Sequence, residues 1–256
     1  MTRRTSSPAL KPLVLCALLA GAALALPARA GTTIEFGSGS RTEGSGHVVE
    51  QARALAPFSR IRLDGSMTVN ARPASAPGAS VKADDNIAPL IITSVEGDTL
   101  VIKTQPNVSF RTRSEVVVNV SFTQLKNADL RGSGDLNIQG LSGAAFELSL
   151  SGSGDVRLDG AELGQLKSRL AGSGDVWIKG RADDASISIA GSGDVHAAEL
   201  AARSVSVSIA GSGDARVHAS ESLNVQIAGS GDVTYGGNPP KVNSRVLGSG
   251  DLRQAR

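Results

Sequence analysis

The residues best placed to do chemistry in this 256-residue chain are seven aspartates: Asp135, Asp155, Asp175, Asp194, Asp214, Asp232 and Asp251. Each closes a Gly-Ser-Gly-Asp tetrapeptide, and successive copies lie 20, 20, 19, 20, 18 and 19 residues apart. If the intervals fold alike, the carboxylates form one row. Carboxylates beside main-chain carbonyls are the ligands calcium prefers. A carboxylate at a bend can instead accept hydrogen bonds from the main-chain NH groups of its own turn. The residues two positions on are Asn137, Arg157, Trp177, His196, Arg216, Thr234 and Arg253, four of them basic or potentially so. Turn structure and surface pairing are therefore the expected role, with no cofactor. A calcium row is the alternative, although the nine-residue period of calcium-binding nonapeptides is absent.

Other reactive constellations are weaker. His196 and His218 sit two and four residues after their aspartates, and His47 is far upstream. A nucleophilic triad needs a distinct Ser, His and acid in one place, whereas the serines here are repeat equivalents. The adjacent pairs Asp84-Asp85 and Asp183-Asp184 should point to opposite faces of a strand or lie in solvated turns, so neither is a ready acid–base couple. No catalytic residue is expected. One outward face is small and uncharged: Ser186, Ser188, Ser204, Ser206, Ser208, Asn224 and Gln226. It is the candidate binding face for a glycan or another protein.

The repeat predicts the elements that carry these residues. A period near 20 residues is that of a solenoid with one repeat per coil. Around each copy the residues alternate with period two, as in Leu148, Leu150, Val156 and Leu158 against Ser149, Ser151, Asp155 and Arg157. That is the pattern of strands. The alternation puts both glycines of the tetrapeptide on the apolar parity, which predicts inward, crowded corners. Leu141, Leu163 with Leu166, Leu200 and Leu223 supply a third inward point. The fold class expected is all-β, a single-stranded parallel β-helix (β-solenoid) with coils of 18–20 residues, taken as right-handed although nothing in the sequence sets its hand. Five Phe, one Trp and one Tyr against 30 Gly fit thin aliphatic coils better than an ordinary enzyme core.

Residues 1–30 carry Arg3, Arg4 and Lys11, an apolar run from Leu13 to Leu26, and Ala28-Arg29-Ala30. This is the pattern of a cleaved secretory signal, and the run is short of the ~20 residues of a spanning helix. The single cysteine, Cys16, lies inside it, so the mature chain has no thiol and no transmembrane segment. Without these residues 22 basic groups face 24 acidic ones, which gives no electrostatic case for nucleic acid. Residues 31–56, with Gly37-Ser38-Gly39-Ser40 and Gly44-Ser45-Gly46, read as a flexible leader. Residues 57–131 read as irregular coils and 132–256 as the regular repeats of one β-solenoid domain. Repeats running to Asp251 without an evident cap suggest end-to-end self-association through the C-terminal coil.

Phe58-Ser59-Arg60-Ile61-Arg62-Leu63-Asp64-Gly65, Val95-Glu96-Gly97-Asp98-Thr99-Leu100-Val101-Ile102 and the Leu125–Leu136 passage into the tetrapeptides resemble the bacterial GIN head domain family, an autotransporter adhesin head, over about residues 57–256. The resemblance implies an exported β-helical protein. A membrane barrel of at least ~8 strands does not fit after Asp251, so only the head is implied. The expectation is an exported, noncatalytic β-solenoid that is periplasmic, outer-envelope associated or extracellular. It would serve as an adhesion, interaction or structural module with a protein or glycan partner. A calcium-stabilised scaffold, or a polysaccharide lyase or hydrolase on the same fold, is the alternative.

Overall fold

The computed structural model describes residues 41–255; the signal-sequence expectation for 1–30 and the first part of the leader lie outside them. The described chain is nearly all β, a stacked-coil β-solenoid of about six turns. In each regular coil, a strand leads into a Gly-Ser-Gly corner and a second strand leaves it. Asp155–Gly172, Val176–Gly191, Val195–Gly211 and Ala215–Gly229 stack in parallel on one another. Equivalent residues therefore form rows along the axis. One inner row runs Leu130, Leu150, Leu170, Ile189, Ile209, Ile227, and another runs Leu136, Val156, Val176, Val195, Ala215, Val233. All are at most 1% exposed, and burying each large aliphatic side chain contributes about 1.5–3 kcal/mol.

The corner glycines are needed for a different reason from the one their parity suggests. A Cβ on Gly211 would lie 2.1 Å from the carbonyl oxygen of Gly191, and one on Gly213 2.1 Å from that of Gly193. The side chain is thus excluded by the coil beneath rather than by crowding in the lumen. Gly211 also has φ +142°, a region other residues rarely adopt. The close approach lets most corner carbonyls accept two NH groups from the next coil, as Gly191 does from Ser212 at 2.9 Å and Gly213 at 3.2 Å; Gly211 accepts one, from Ser230 at 2.9 Å.

The first coils stack out of chain order. Arg60–Gly65 lies between Thr99–Thr104 and Asn127–Gly132, and Thr68–Pro73 lies between Val117–Phe122 and Asp135–Gln139. The segment 78–122 thus folds back over the coil that precedes it. It closes that end with antiparallel pairs, Ile91–Glu96 on Thr99–Thr104 and Gly78–Asp84 on Val117–Phe122. Irregular coils of the same solenoid were expected over 57–131; the antiparallel strands were not.

The leader expectation is corrected for residues 41–56. Val48–Ala54 pairs antiparallel with Gly78–Asp84 through seven residue pairs, and Arg41–Glu43 pairs with Ser109–Arg111. Alternation in Val48–Ala54 is half-exposed rather than apolar, so its glycine-rich flank dominated the sequence pattern. A polar clasp holds the segment. Ser45 N donates to Asn86 Oδ1 at 3.0 Å, Asn86 Nδ2 to the Glu43 carbonyl at 2.7 Å, and Thr112 Oγ1 to the buried Asp84 at 2.7 Å. The Thr112 hydroxyl, then that of Ser114, holds the Asp84 carboxyl below its ordinary value of 3.8 against the opposing effect of burial.

Candidate functional site

The seven aspartates are brought into one row, as their spacing requires, but with other partners than expected. From Asp155 onward each carboxylate Oδ1 accepts the main-chain NH of the equivalent aspartate in the next coil. Asp155 accepts from Asp175 at 3.2 Å, Asp175 from Asp194 at 3.0 Å, Asp194 from Asp214 at 2.8 Å, Asp214 from Asp232 at 2.8 Å, and Asp232 from Asp251 at 2.9 Å. Only Asp251 bonds within its own turn, accepting from Leu252 N at 2.8 Å. The expectation of own-bend bonding is corrected accordingly. The aspartate NH, third after the first corner glycine, points along the axis, and the carboxylate below is what meets it. One oxygen of each linked carboxylate is committed to structure. Asp135 stands in the same row, but its NH donates to the Met67 carbonyl. No group of three or more His, Cys, Asp or Glu among the described residues is arranged to hold a metal ion.

The outward row two residues on forms a second ladder. Asn119, Asn70 and Asn137 are linked by side-chain amides at 3.3 and 3.0 Å. The row continues through Arg157, whose guanidinium lies 4.4 Å from the Trp177 ring centre. Trp177 stacks on His196 with centroids 5.2 Å apart, and Arg216 Nη1 lies 3.4 Å from His196 Nδ1. Arg157 and Arg253 do reach carboxylates, Asp155 at 3.5 Å and Asp251 at 2.8 Å. His196 and Arg216 belong to the stack instead. Both faces of the indole are occupied by neighbours, so Trp177 presents only its edge. This arrangement holds coils together.

The expected polar face contains a groove of about 830 Å³. Ser186, Ser204, Ser206 and Asn224 line it; Ser188, Ser208 and Gln226 stand on the same sheet face outside it. Its floor is an inner row that parity alone did not mark as reachable: Phe146, Leu166, Ala185 and Val205. Each is only 2–4% exposed. The groove begins beside a bend where alternation slips by one residue. The signal was present in the consecutive polar pairs Asp183-Asp184, Arg203-Ser204 and Glu221-Ser222, of which Asp183 and Asp184 are both exposed. Four charged residues, Lys126, Glu147, Lys167 and Asp184, line the first four of its coils in turn. Chemically the surface offers charged groups in its first coils and hydroxyls and amides in the rest, above an apolar strip, and it brings no acid–base or nucleophilic set together.

Comparison with known proteins agrees with this architecture. A solved structure described as a "putative adhesin" from Bacteroides fragilis is 23% identical, with TM-score 0.77 over 83% of this chain and 99% of that one. One described as a "putative lipid binding protein" from Parabacteroides distasonis is 27% identical, with TM-score 0.72 over 85% and 100%. A "putative adhesin" from Parabacteroides merdae is 21% identical, with TM-score 0.65 over 84% and 99%. No curated protein matches the chain. A family model described as "Putative auto-transporter adhesin, head GIN domain" matches residues 57–239. With that match spanning most of its length, the chain belongs to the GIN head-domain family.

Proposed function

We propose that the mature chain is an exported, noncatalytic adhesion or interaction module of the cell envelope whose contact surface is the grooved face carrying Ser186, Ser204, Ser206 and Asn224. The observation that carries this reading is the sameness of the corner and aspartate rows. Catalysis requires unlike groups converging at one point, whereas here equivalent positions repeat along the axis, and the polar groups of the corners are spent on coil-to-coil bonds. Family membership and fold relatives described as adhesins support binding over chemistry. The relative described as lipid binding makes an envelope lipid a second partner class to include. No helix among the described residues is long and apolar enough to cross a membrane. Localisation in the periplasm or at the outer surface belongs to the proposal and follows from the signal-like residues 1–30.

Self-association through the coil Lys241–Gly248 is part of the same reading. Val242, Val246 and Leu247 there are 41%, 37% and 58% exposed, and among the described residues that strand pairs only with Ala215–Gly229. The test is a binding screen of the mature chain against glycans, envelope proteins and lipid vesicles, with light scattering in parallel. A partner lost on substitution of the grooved face supports the reading. Turnover of a polysaccharide in the same screen would replace it by an enzymatic one.

A further inference from the structure

We propose that the groove holds a linear, uncharged polysaccharide lying along the solenoid axis, about one sugar ring per coil. This rests on reading the chain as an interaction module and names its partner class. The groove takes residues from six successive coils, Leu125, Phe146, Leu166, Ala185, Val205 and Asn224. At the ~4.8 Å spacing of neighbouring strands it is about 24 Å long. What fills it meets an inner apolar residue flanked by polar ones in most coils, as in Gln124-Leu125-Lys126, Gln165-Leu166-Lys167 and Ser204-Val205-Ser206, so an extended ligand fits and a compact one does not.

Three properties select among extended ligands. The first is charge. Among the lining residues Lys126 and Lys167 are matched in number by Glu147 and Asp184, Glu147 being also paired with Arg169 just outside the groove, and Ser186, Ser204, Ser206, Ser222 and Asn224 add none. An acidic polymer would find no net compensation in such a site. The second is the division of the lining. An apolar floor flanked by polar walls matches a sugar ring, which has CH-rich faces and hydroxyl edges; an acyl chain leaves the walls unanswered. The third is period. A peptide strand repeats its same-side groups every ~6.7 Å, so it falls a whole coil out of step within about three repeats. One ring of an extended polysaccharide is close to one coil in length.

The same geometry sets how binding grows. Phe146 is 2% exposed and the Trp177 ring is sandwiched in another row, so the groove offers no free aromatic face to stack a sugar. Each ring is held by hydrogen bonds whose net worth is small, and affinity has to accumulate along the chain. Single sugars should bind negligibly, and affinity should rise with oligomer length and level off near the number of coils.

The experiment is calorimetry on the full mature chain with graded oligosaccharides cut from neutral glucans, mannans, xylans and galactans. Polygalacturonate, phospholipid vesicles and an extended Ser/Thr-rich peptide are the competing probes. Length-dependent binding of at least one neutral series is expected. It should fall at least tenfold in Ser206→Lys and in Ser186→Lys, which block the groove, and be unchanged in Ser208→Lys, which lies outside it. Circular dichroism and melting establish that each variant is folded. Absence of binding by every neutral series, preference for any competing probe, or indifference to both blocking substitutions would overturn the inference. A protein or lipid partner found in the wider screen that tolerates those substitutions would overturn the groove assignment while leaving the interaction module standing.

Discussion

At the scale of single residues, the aspartate row shows how one side chain serves a repeat. Asp194 accepts the Asp214 NH at 2.8 Å while its own NH donates to Asp175 at 3.0 Å. Neighbouring carboxylates ~4.8 Å apart repel by about 1 kcal/mol or less in a water-like dielectric, comparable to the net value of one hydrogen bond. Asp194→Ala should therefore lower stability by about 1–2 kcal/mol by orphaning the amide above. Asp194→Asn, which keeps the acceptor and removes the repulsion, should cost much less. Denaturant unfolding of the two variants checks this; equal losses would mean the charge itself matters. If the row binds calcium instead, the melting midpoint will rise with the ion and fall with chelator. With one oxygen of each linked carboxylate already committed, the expected midpoint is unchanged. Ser168 is the opposite case. It is 1% exposed and its hydroxyl has no partner, in a row between Leu148 and Ile187. Ser168→Val should stabilise by about 1 kcal/mol, which for a chain of this size is a rise of about 2–4 °C in Tm; a fall would show that the cavity is too small for the added methyl groups.

At the scale of the coil, the corner decides whether strands can stack at all. In Gly211→Ala the new methyl would meet the Gly191 carbonyl, in a backbone region that costs a non-glycine residue about 1–3 kcal/mol before any clash. We expect a loss of about 3 kcal/mol or more, read by chemical denaturation, with amide exchange rising first in the two coils on either side. A near-neutral result would mean that the coils separate easily and that the corner is not what spaces them. These coils were legible because each repeats a tetrapeptide and a period-two pattern. The coil at 60–73 was only half legible. Gly65-Ser66-Met67-Thr68 occupies the corner register of Gly132 to Asp135, but Met67 and Thr68 hide it. Met67 is tolerated because the coil on its other side replaces the corner with the longer segment between Thr104 and Val117, which carries the strand Ser109–Arg111. The antiparallel strands at 78–96 carry the same alternation as parallel ones, and period alone does not encode strand direction. The groove floor was missed for a related reason, since parity marks which residues point inward but not where a bend opens the surface above them.

At the scale of the molecule, the question is where the folding unit begins. The family match starts at residue 57, and the composition upstream suggests a tether. The contacts argue otherwise. Val48–Ala54 covers the edge of Gly78–Asp84, the strand that closes one end of the solenoid through Val117–Phe122. Removing it would leave an unpaired edge of seven residues, the kind of surface on which chains aggregate. It would also strip the clasp from Asp84, which is 1% exposed and would keep Thr112 but lose the loop folded over it at Gly44. Among the described residues Val48–Ala54 pairs with Gly78–Asp84 and Arg41–Glu43 with Ser109–Arg111, neither in register with the regular coils from Asn127 onward, and solenoid coils depend mainly on their neighbours. A chain starting at residue 57 should thus keep its repeat coils but lose its end. Compared with one starting at residue 41, it should melt at lower temperature, be cut first by protease between residues 74 and 98, and aggregate at concentrations where the longer chain stays dispersed. Equal melting and equal protease resistance would show that 41–56 only rests on a cap already complete without it.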